Sequence, residues 1–269
     1  MTITADGPPI ESAVSPPQAD TGERSMVGRL DALLAAFVDH DRSLSLSEIS
    51  QRVGLPKSTV HRLTEQLCSV GWLERNSGGY RVGFKLLEVG GLVLQRNGLR
   101  ETAYGHIYPL ARKTGLAVQL AILDGAEVVY LDRVDLGGLD LPTRVGGRQP
   151  AYCTGLGKAM LAFEDEAAQA TALADMPART AATITDPRAM RAELETIRTC
   201  GYALDRGEGF HEIACVAAPI RSSGRAIGAI SVTGPIRSMR AQPLVQEIRR
   251  TAKAVWEGRS GFGRGLPAR

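Results

Sequence analysis

The chain has 269 residues, 43% of them hydrophobic and 23% charged, with a formal net charge of +3. That length suits two domains with sizeable cores, and a balance so near neutral does not mark a nucleic-acid binder by charge alone. No apolar run approaches the roughly 18 to 20 residues that a membrane span needs. The four cysteines, Cys68, Cys153, Cys200 and Cys215, lie far apart and form no CxxC pair, so the expected setting is the cytoplasm with reduced thiols.

Residues 1–24 lack the basic start and apolar centre of a signal peptide and are rich in Pro, Ser, Thr and Ala; they are expected to be a disordered tail. From Met26 the pattern turns helical, with Val27, Leu30, Leu33, Leu34 and Phe37 on one face. "DHDRS" breaks it and "SLSEISQRV" restarts it. Ser45 followed by Glu48 is a capping-box signature, and Leu46, Ile49 and Val53 point inward. Gly54 suits the left-handed residue that ends this helix, and Pro56 suits the first position of the next. There Val60, Leu63 and Leu67 form an apolar stripe. Lys57, Ser58, Thr59 and Arg62 lie off it, with His61 at its border. Two short helices joined by a glycine turn are a helix-turn-helix, whose second helix enters the DNA major groove. "GWLERNSGGYRVG" then reads as a β-hairpin, which makes the unit, residues 25–83, a winged helix-turn-helix. Arg75 and Arg81 flank the wing tip and are candidate phosphate contacts, and Ser45 is a candidate at the start of the positioning helix. Residues 25–83 carry seven Lys and Arg against six Asp and Glu, a balance of only +1, so cations must be placed rather than abundant and one copy should bind weakly.

"FKLLEVGGLVLQRN" is apolar almost all round and reads as a linker helix, residues 84–98, that wants a partner on more than one side. "LRETAYGHIYPLARKTG" reads as a helix kinked or ended near Pro109. The period then changes to two: "LAVQLAILD", "AEVVYLDRVD" and "LDLPTRVG" read as strands, the first two joined at Asp124-Gly125. Three helical stretches follow, "TGLGKAMLAFE", "DEAAQATALADM" and "PRAMRAELETIRTCG". Strands "YALD", "EIACVAAPIR" and "AIGAISVTG" and a closing helix, "QPLVQEIRRTAKAVWEG", complete a sensor-like α+β domain at 99–257, an antiparallel sheet with helices packed on it. Residues 258–269 read as a second flexible tail.

With these stretches in view, the chain from about 25 to 257 resembles the IclR family of bacterial transcription regulators. "LSEISQRVGLPKSTVHRL" is similar to its recognition segment, and "PAYCTGLGKAMLA" and "RGEGFHEIACVAAPIRSSGRAIGAISVTGP" to the two signature stretches of its effector domain, in the family's order. The resemblance implies a winged helix-turn-helix, a linker helix and a GAF-like α+β domain. It implies dimers or dimers of dimers on palindromic double-stranded operators, acting as repressors or activators that answer to small carboxylates or aromatic acids. By motif position it places Leu141, Tyr152, Gly155, Leu156, Asp205, Ile213, Cys215, Ser231 and Thr233 around the effector. Where many members carry a His before the "TxxGK" run, Tyr152 and Cys153 stand here, and "PAYCT" is more similar to members that control breakdown of protocatechuate and related aromatic acids. Glu212 stands where glycine is usual. Physically, Ser231 and Thr233 share one strand face, so their hydroxyls suit one cavity.

Rival chemistries are weak. His211 and Cys215 lie four apart on an expected strand, with Asp205 nearby, but four residues span about 13 Å, too far for a Cys–His nucleophile pair. A redox sensor at Cys215 or Cys153 lacks a basic neighbour to stabilise a thiolate. His40, His61, His106 and His211 show no metal-ligand spacing with the cysteines. The expectation is no catalytic residue, no metal and no cofactor.

Overall fold

The computed structural model describes residues 25–38 and 43–262. The tail expected at 1–24, the last residues of the tail expected at 258–269, and His40 therefore lie outside the described residues. The described chain falls into two compact units, one ending at Val93 and one beginning at Leu94.

The first unit opens with α1 (Met26–Ala35), capped by the Ser25 hydroxyl, which accepts from the Gly28 N–H at 3.0 Å. Its apolar face starts later than the spacing suggests. Leu33 and Phe37 are buried, whereas Val27 in the first turn is 75% exposed. Helix α2 (Leu46–Val53) carries the reciprocal capping box: Ser45 Oγ accepts from the Glu48 N–H at 3.3 Å, and Glu48 Oε2 accepts from the Ser45 N–H at 2.8 Å. It ends at Gly54, whose φ of 66° is left-handed. Helix α3 (Lys57–Ser69) starts one residue beyond the expected position. Pro56 keeps an extended ψ of 141° and acts as the N-cap, its carbonyl accepting the first helical bond from Val60 at 3.0 Å. The stripe Val60, Leu63 and Leu67 meets Leu33, Leu44 and Ile49 in one core. Strands β1 (Leu73–Asn76) and β2 (Gly79–Val82) pair antiparallel across Ser77-Gly78. Leu44 adds a third rung, exchanging backbone bonds of 2.8 Å in both directions with Tyr80. Gly79, at φ 124°, is the residue that lets the wing come this close: a Cβ there would collide with the Leu44 carbonyl.

Helix α4 (Phe84–Gln95) buries none of its residues. Helix α5 (Gly98–Thr114) runs through Pro109 to a left-handed Gly115, rather than ending at the proline. Pro109 and Gly105, whose carbonyl loses its donor, are both on the exposed side, where water can serve that carbonyl. Continuing the helix also buries Leu110 and Ala111.

The second unit is built on one antiparallel sheet in the order β5-β4-β3-β8-β7-β6. In chain order these are β3 (Ala117–Asp124), β4 (Glu127–Val134), β5 (Arg148–Pro150), β6 (Ala203–Arg206), β7 (Ile213–Ser222) and β8 (Arg225–Pro235). Between β5 and β6 come α6 (Gly155–Leu161), α7 (Glu166–Ala172) and α8 (Pro187–Cys200). The strand expected at "LDLPTRVG" does not form. Pro142 has no N–H for a ladder, Gly138 and Gly146 turn left-handed, and the chain there is a loop; the edge strand is Arg148–Pro150 instead. Nor does His211 lie on a strand, since β7 begins at Ile213 and His211 is exposed in the preceding turn.

Alternation along the strands gives the sheet two cores. Val118, Leu120, Val216, Ile230 and Val232 face α5 and the last helix, α9 (Ala241–Phe262). Ala121, Tyr130, Ala217 and Ala229 face α6 and α8. Helix α9 continues through residues 258–262, which the sequence reading gave to the tail.

Candidate functional site

Two surfaces hold the expected site residues, one in each unit. In the first, Lys57, Ser58, His61 and Arg62 are exposed on α3 and Thr59 is half-buried, while Val60, Leu63 and Leu67 hold the opposite face in the core. The stripe thus fixes which way the polar face looks. Ser45 differs from these: its hydroxyl accepts the Glu48 N–H as the cap of α2, which leaves its own O–H to donate. The wing arginines are tied to carboxylates of their own unit. Arg81 donates twice to the same oxygen of Glu74, Oε2, at 3.0 Å from Nε and 2.7 Å from Nη2. Arg75 stands over the Tyr80 ring at 5.8 Å and 3.8 Å from Glu65. The pair holds the Glu74 carboxyl below its ordinary range, the Arg81 hydrogen bond being the main cause. Glu74→Gln should therefore leave Arg81 free for phosphate and tighten DNA binding severalfold, with a steeper dependence on salt. A fluorescence-anisotropy titration at two salt concentrations checks this, and an unchanged slope would show that Arg81 does not reach the DNA.

In the second unit, strand register brings distant residues into one polar row. On the face toward α6, Asp205 stands opposite Cys215 and Cys215 opposite Thr233. Two residues along, Ala217, Ser231, Gln119 and Arg133 stand side by side on four strands. Gln119 Oε1 accepts from Thr233 Oγ1 at 3.1 Å and from Ser231 Oγ at 3.4 Å, and its Nε2 donates to Thr143 Oγ1 at 2.6 Å. Gln119, Ser231 and Thr233 are buried, and Thr143 is half-buried. The first turn of α6 lies directly on this row, because a Cβ on Gly155 would strike Cys215 Sγ. Leu141 is buried on the loop after β4. Ile213 is half-buried at the start of β7, opposite Pro235. Leu156 and Tyr152 belong instead to the apolar core between α6 and α8, with Tyr152 Oη donating to the Pro177 carbonyl at 2.7 Å. The fold thus brings Gly155, Asp205, Cys215, Ser231 and Thr233 together, and places Tyr152 and Leu156 in the neighbouring apolar core.

A buried charge cluster sits beside the row. Lys158 is wholly buried, its Nζ 2.6 Å from Glu208 Oε1 and 3.2 Å from Glu193 Oε1. Glu208 Oε2 has no hydrogen-bond partner. Thr180 and Thr183 hydroxyls clamp the backbone here, donating to the Gly207 and Glu208 carbonyls at 2.6 and 2.8 Å. Asp205 accepts from the Glu208 N–H at 2.7 Å, yet burial, reinforced by the Glu208 charge, pushes its carboxyl up to about 7. Burial likewise pushes the Cys153 thiol up to about 12 and raises Cys215. Neither is a ready thiolate, so nucleophilic or redox use of these cysteines finds no support. Among the described residues no group of three or more His, Cys, Asp or Glu is placed to hold a metal ion, and no helix is long and apolar enough to cross a membrane.

The chain matches the family profile "Bacterial transcriptional regulator IclR C-terminal" over residues 91–256 and the "IclR helix-turn-helix domain" profile over residues 27–77. It is a transcriptional regulator of the IclR family. It is 34% identical to the regulator XynR of Escherichia coli, covering 77% of this chain and 84% of that one. It is 33% identical to the glycerol operon regulatory protein of Streptomyces coelicolor, over 84% and 93%. Among solved structures, an IclR homologue from Microbacterium hydrocarbonoxydans in complex with 4-hydroxybenzoate superposes with a TM-score of 0.78 at 30% identity, covering 88% of this chain and all of that one. As an IclR regulator the chain binds DNA through its helix-turn-helix, and it is not an enzyme. Sequence reasoning missed Gln119, Arg133, Lys158 and Glu208. A signal was present for two of them: Gln119 interrupts the apolar strand "LAVQLAILD", and Lys158 interrupts the apolar helix "GLGKAML".

Proposed function

We propose that this IclR regulator is a repressor that binds a palindromic operator as a homodimer, or as a dimer of dimers, in the cytoplasm, and that a small aromatic or dicarboxylic acid bound in the second unit controls its affinity for DNA. The reading rests above all on the buried polar row of Asp205, Ser231, Thr233 and Gln119 under the first turn of α6. A buried row of this kind carries more polar groups than a sheet core needs, and convergent polar groups among small side chains are what a ligand site requires. The aromatic choice is supported by the 4-hydroxybenzoate held by the Microbacterium homologue. Dimerisation is supported by α4, where Phe84 is 71% exposed and Val93 is 65% exposed, an apolar surface that water does not favour. It also supplies the second DNA contact that a unit with a balance of only +1 needs.

Gel shift of the purified protein on DNA upstream of its own and neighbouring genes, with and without 4-hydroxybenzoate, tests the proposal. A band that the acid releases supports it, and no retarded band at low salt refutes it. On such an operator Arg62→Ala should weaken binding by about 1–3 kcal/mol if Arg62 reads a base. Equal loss on random DNA would make it a phosphate contact.

A further inference from the structure

The polar row ends at Arg133, and Arg133 is engaged in an unusual way. Its guanidinium clasps the loop that follows β4. Nη1 donates to the carbonyls of Thr143 at 2.6 Å and Leu141 at 3.3 Å; Nη2 donates to the carbonyl of Leu139 at 2.9 Å and to Asp135 Oδ2 at 3.0 Å. Gln119, its neighbour in the row, reaches the same loop through Thr143 Oγ1. One end of this loop is therefore fastened by the side chains that border the buried hydroxyls, and the loop carries Leu141 inward.

A carboxylate arriving at the row needs a cation, and two stand near it. Lys158 is surrounded by two carboxylates already, at 2.6 and 3.2 Å. Arg133 faces one carboxylate, with its remaining bonds going to three neutral carbonyls. Exchanging neutral acceptors for a charged one is favourable for a guanidinium, whose fork matches a carboxylate. Displacing the Glu208 pair from Lys158 would instead leave a buried charge alone.

We propose that Arg133 is the residue by which the site selects an acid, and that the same guanidinium is the clasp of loop 135–143, so that binding an acid and holding the loop compete. The proposal rests on the effector reading of the second unit. Gln119 sets the neighbouring selectivity by offering its amide to a polar group of the same ligand once Thr143 moves away.

The test uses the full chain with 4-hydroxybenzoate and its neutral counterpart 4-hydroxybenzamide, read by calorimetric titration and by hydrogen exchange of residues 135–143. Wild type should bind the acid more tightly than the amide and exchange faster in the loop when the acid is present. Arg133→Gln should lose roughly tenfold or more of acid affinity while amide affinity stays within about twofold, and its loop should exchange fast with no ligand. Arg133→Lys, which keeps the charge but cannot bridge three carbonyls, should keep the preference for acid and still show a fast loop. Equal loss of acid and amide in Arg133→Gln would mean a purely structural role and overturn the proposal, as would acid binding that slows loop exchange in wild type. A wild type that binds neither compound overturns it together with the aromatic choice of effector; a wild type that prefers the acid and an Arg133→Gln chain that keeps the preference overturn it alone.

Discussion

Lys158→Met should lower the stability of the second unit by about 3–5 kcal/mol, because it removes one partner of a buried pair and leaves the other. Lys158 has no exposed surface and Glu208 is 2% exposed. With the ammonium gone, the Glu208 carboxylate has neither water nor a cation, and its Oε2 lacks a hydrogen bond even now. The loss should shrink when Glu208→Gln is added, since the double variant buries no uncompensated charge, and the non-additivity measures the coupling directly. Glu208→Gln alone should cost less, as Lys158 keeps Glu193. Two units need separate signals, and the sequence provides them: Trp72 belongs to the first core and Trp256 to the second. Denaturant unfolding followed by fluorescence in a Trp72→Phe background reports the second unit alone. A Lys158→Met variant as stable as its parent would mean that Glu208 takes up a proton at little cost, and the ion pair would not be what fixes the 207–212 segment against α6.

The same cluster shows where sequence reading stops. The helix-turn-helix was legible because its determinants are local. Ser45 and Glu48 are three residues apart, Gly54 and Pro56 bracket one turn, and Val60, Leu63 and Leu67 repeat at helical spacing. Ser231 and Thr233 were legible as a pair through strand alternation. Lys158 meets Glu208 across 50 residues of sequence, and Gln119 meets Thr233 across 114; those distances are set by strand order, which a local period does not contain. The loop at 139–146 shows the other kind of miss. Carbonyls 139, 141 and 143 do follow a period of two, but they bond to the Arg133 side chain instead of a neighbouring strand. The alternation was real and its partner was not a strand. His211 was wrongly set on the strand, since β7 starts only at Ile213 after the segment clamped by Thr180 and Thr183.

Asp205→Asn should flatten the pH dependence of stability and make the second unit more stable than its parent at alkaline pH. The ordinary carboxyl value is 3.8, and in the fold Asp205 stands at about 7. Below pH about 4 folded and unfolded chains both hold the proton, and the residue adds no slope. Between about 4 and 7 the folded chain keeps a proton that the unfolded chain has released, so stability falls as pH rises. Above about 7 both forms are ionised and the loss is complete, at up to about 4 kcal/mol for a group moved this far. Asparagine removes the titration while its side-chain oxygen can still accept the Glu208 N–H that now lies 2.7 Å from Asp205. Unfolding midpoints of parent and variant at pH 5 and pH 8 decide the matter: the gap should move in favour of the variant at pH 8, and parallel behaviour would mean that Lys158 and the Glu208 N–H hold Asp205 ionised throughout. If the polar row holds the acid as proposed, a neutral Asp205 below about 7 can donate a hydrogen bond to it, whereas above about 7 the carboxylate repels it. On the proposed reading, acid-triggered release from DNA should weaken as pH rises from 6 to 8 in the parent and stay level in Asp205→Asn.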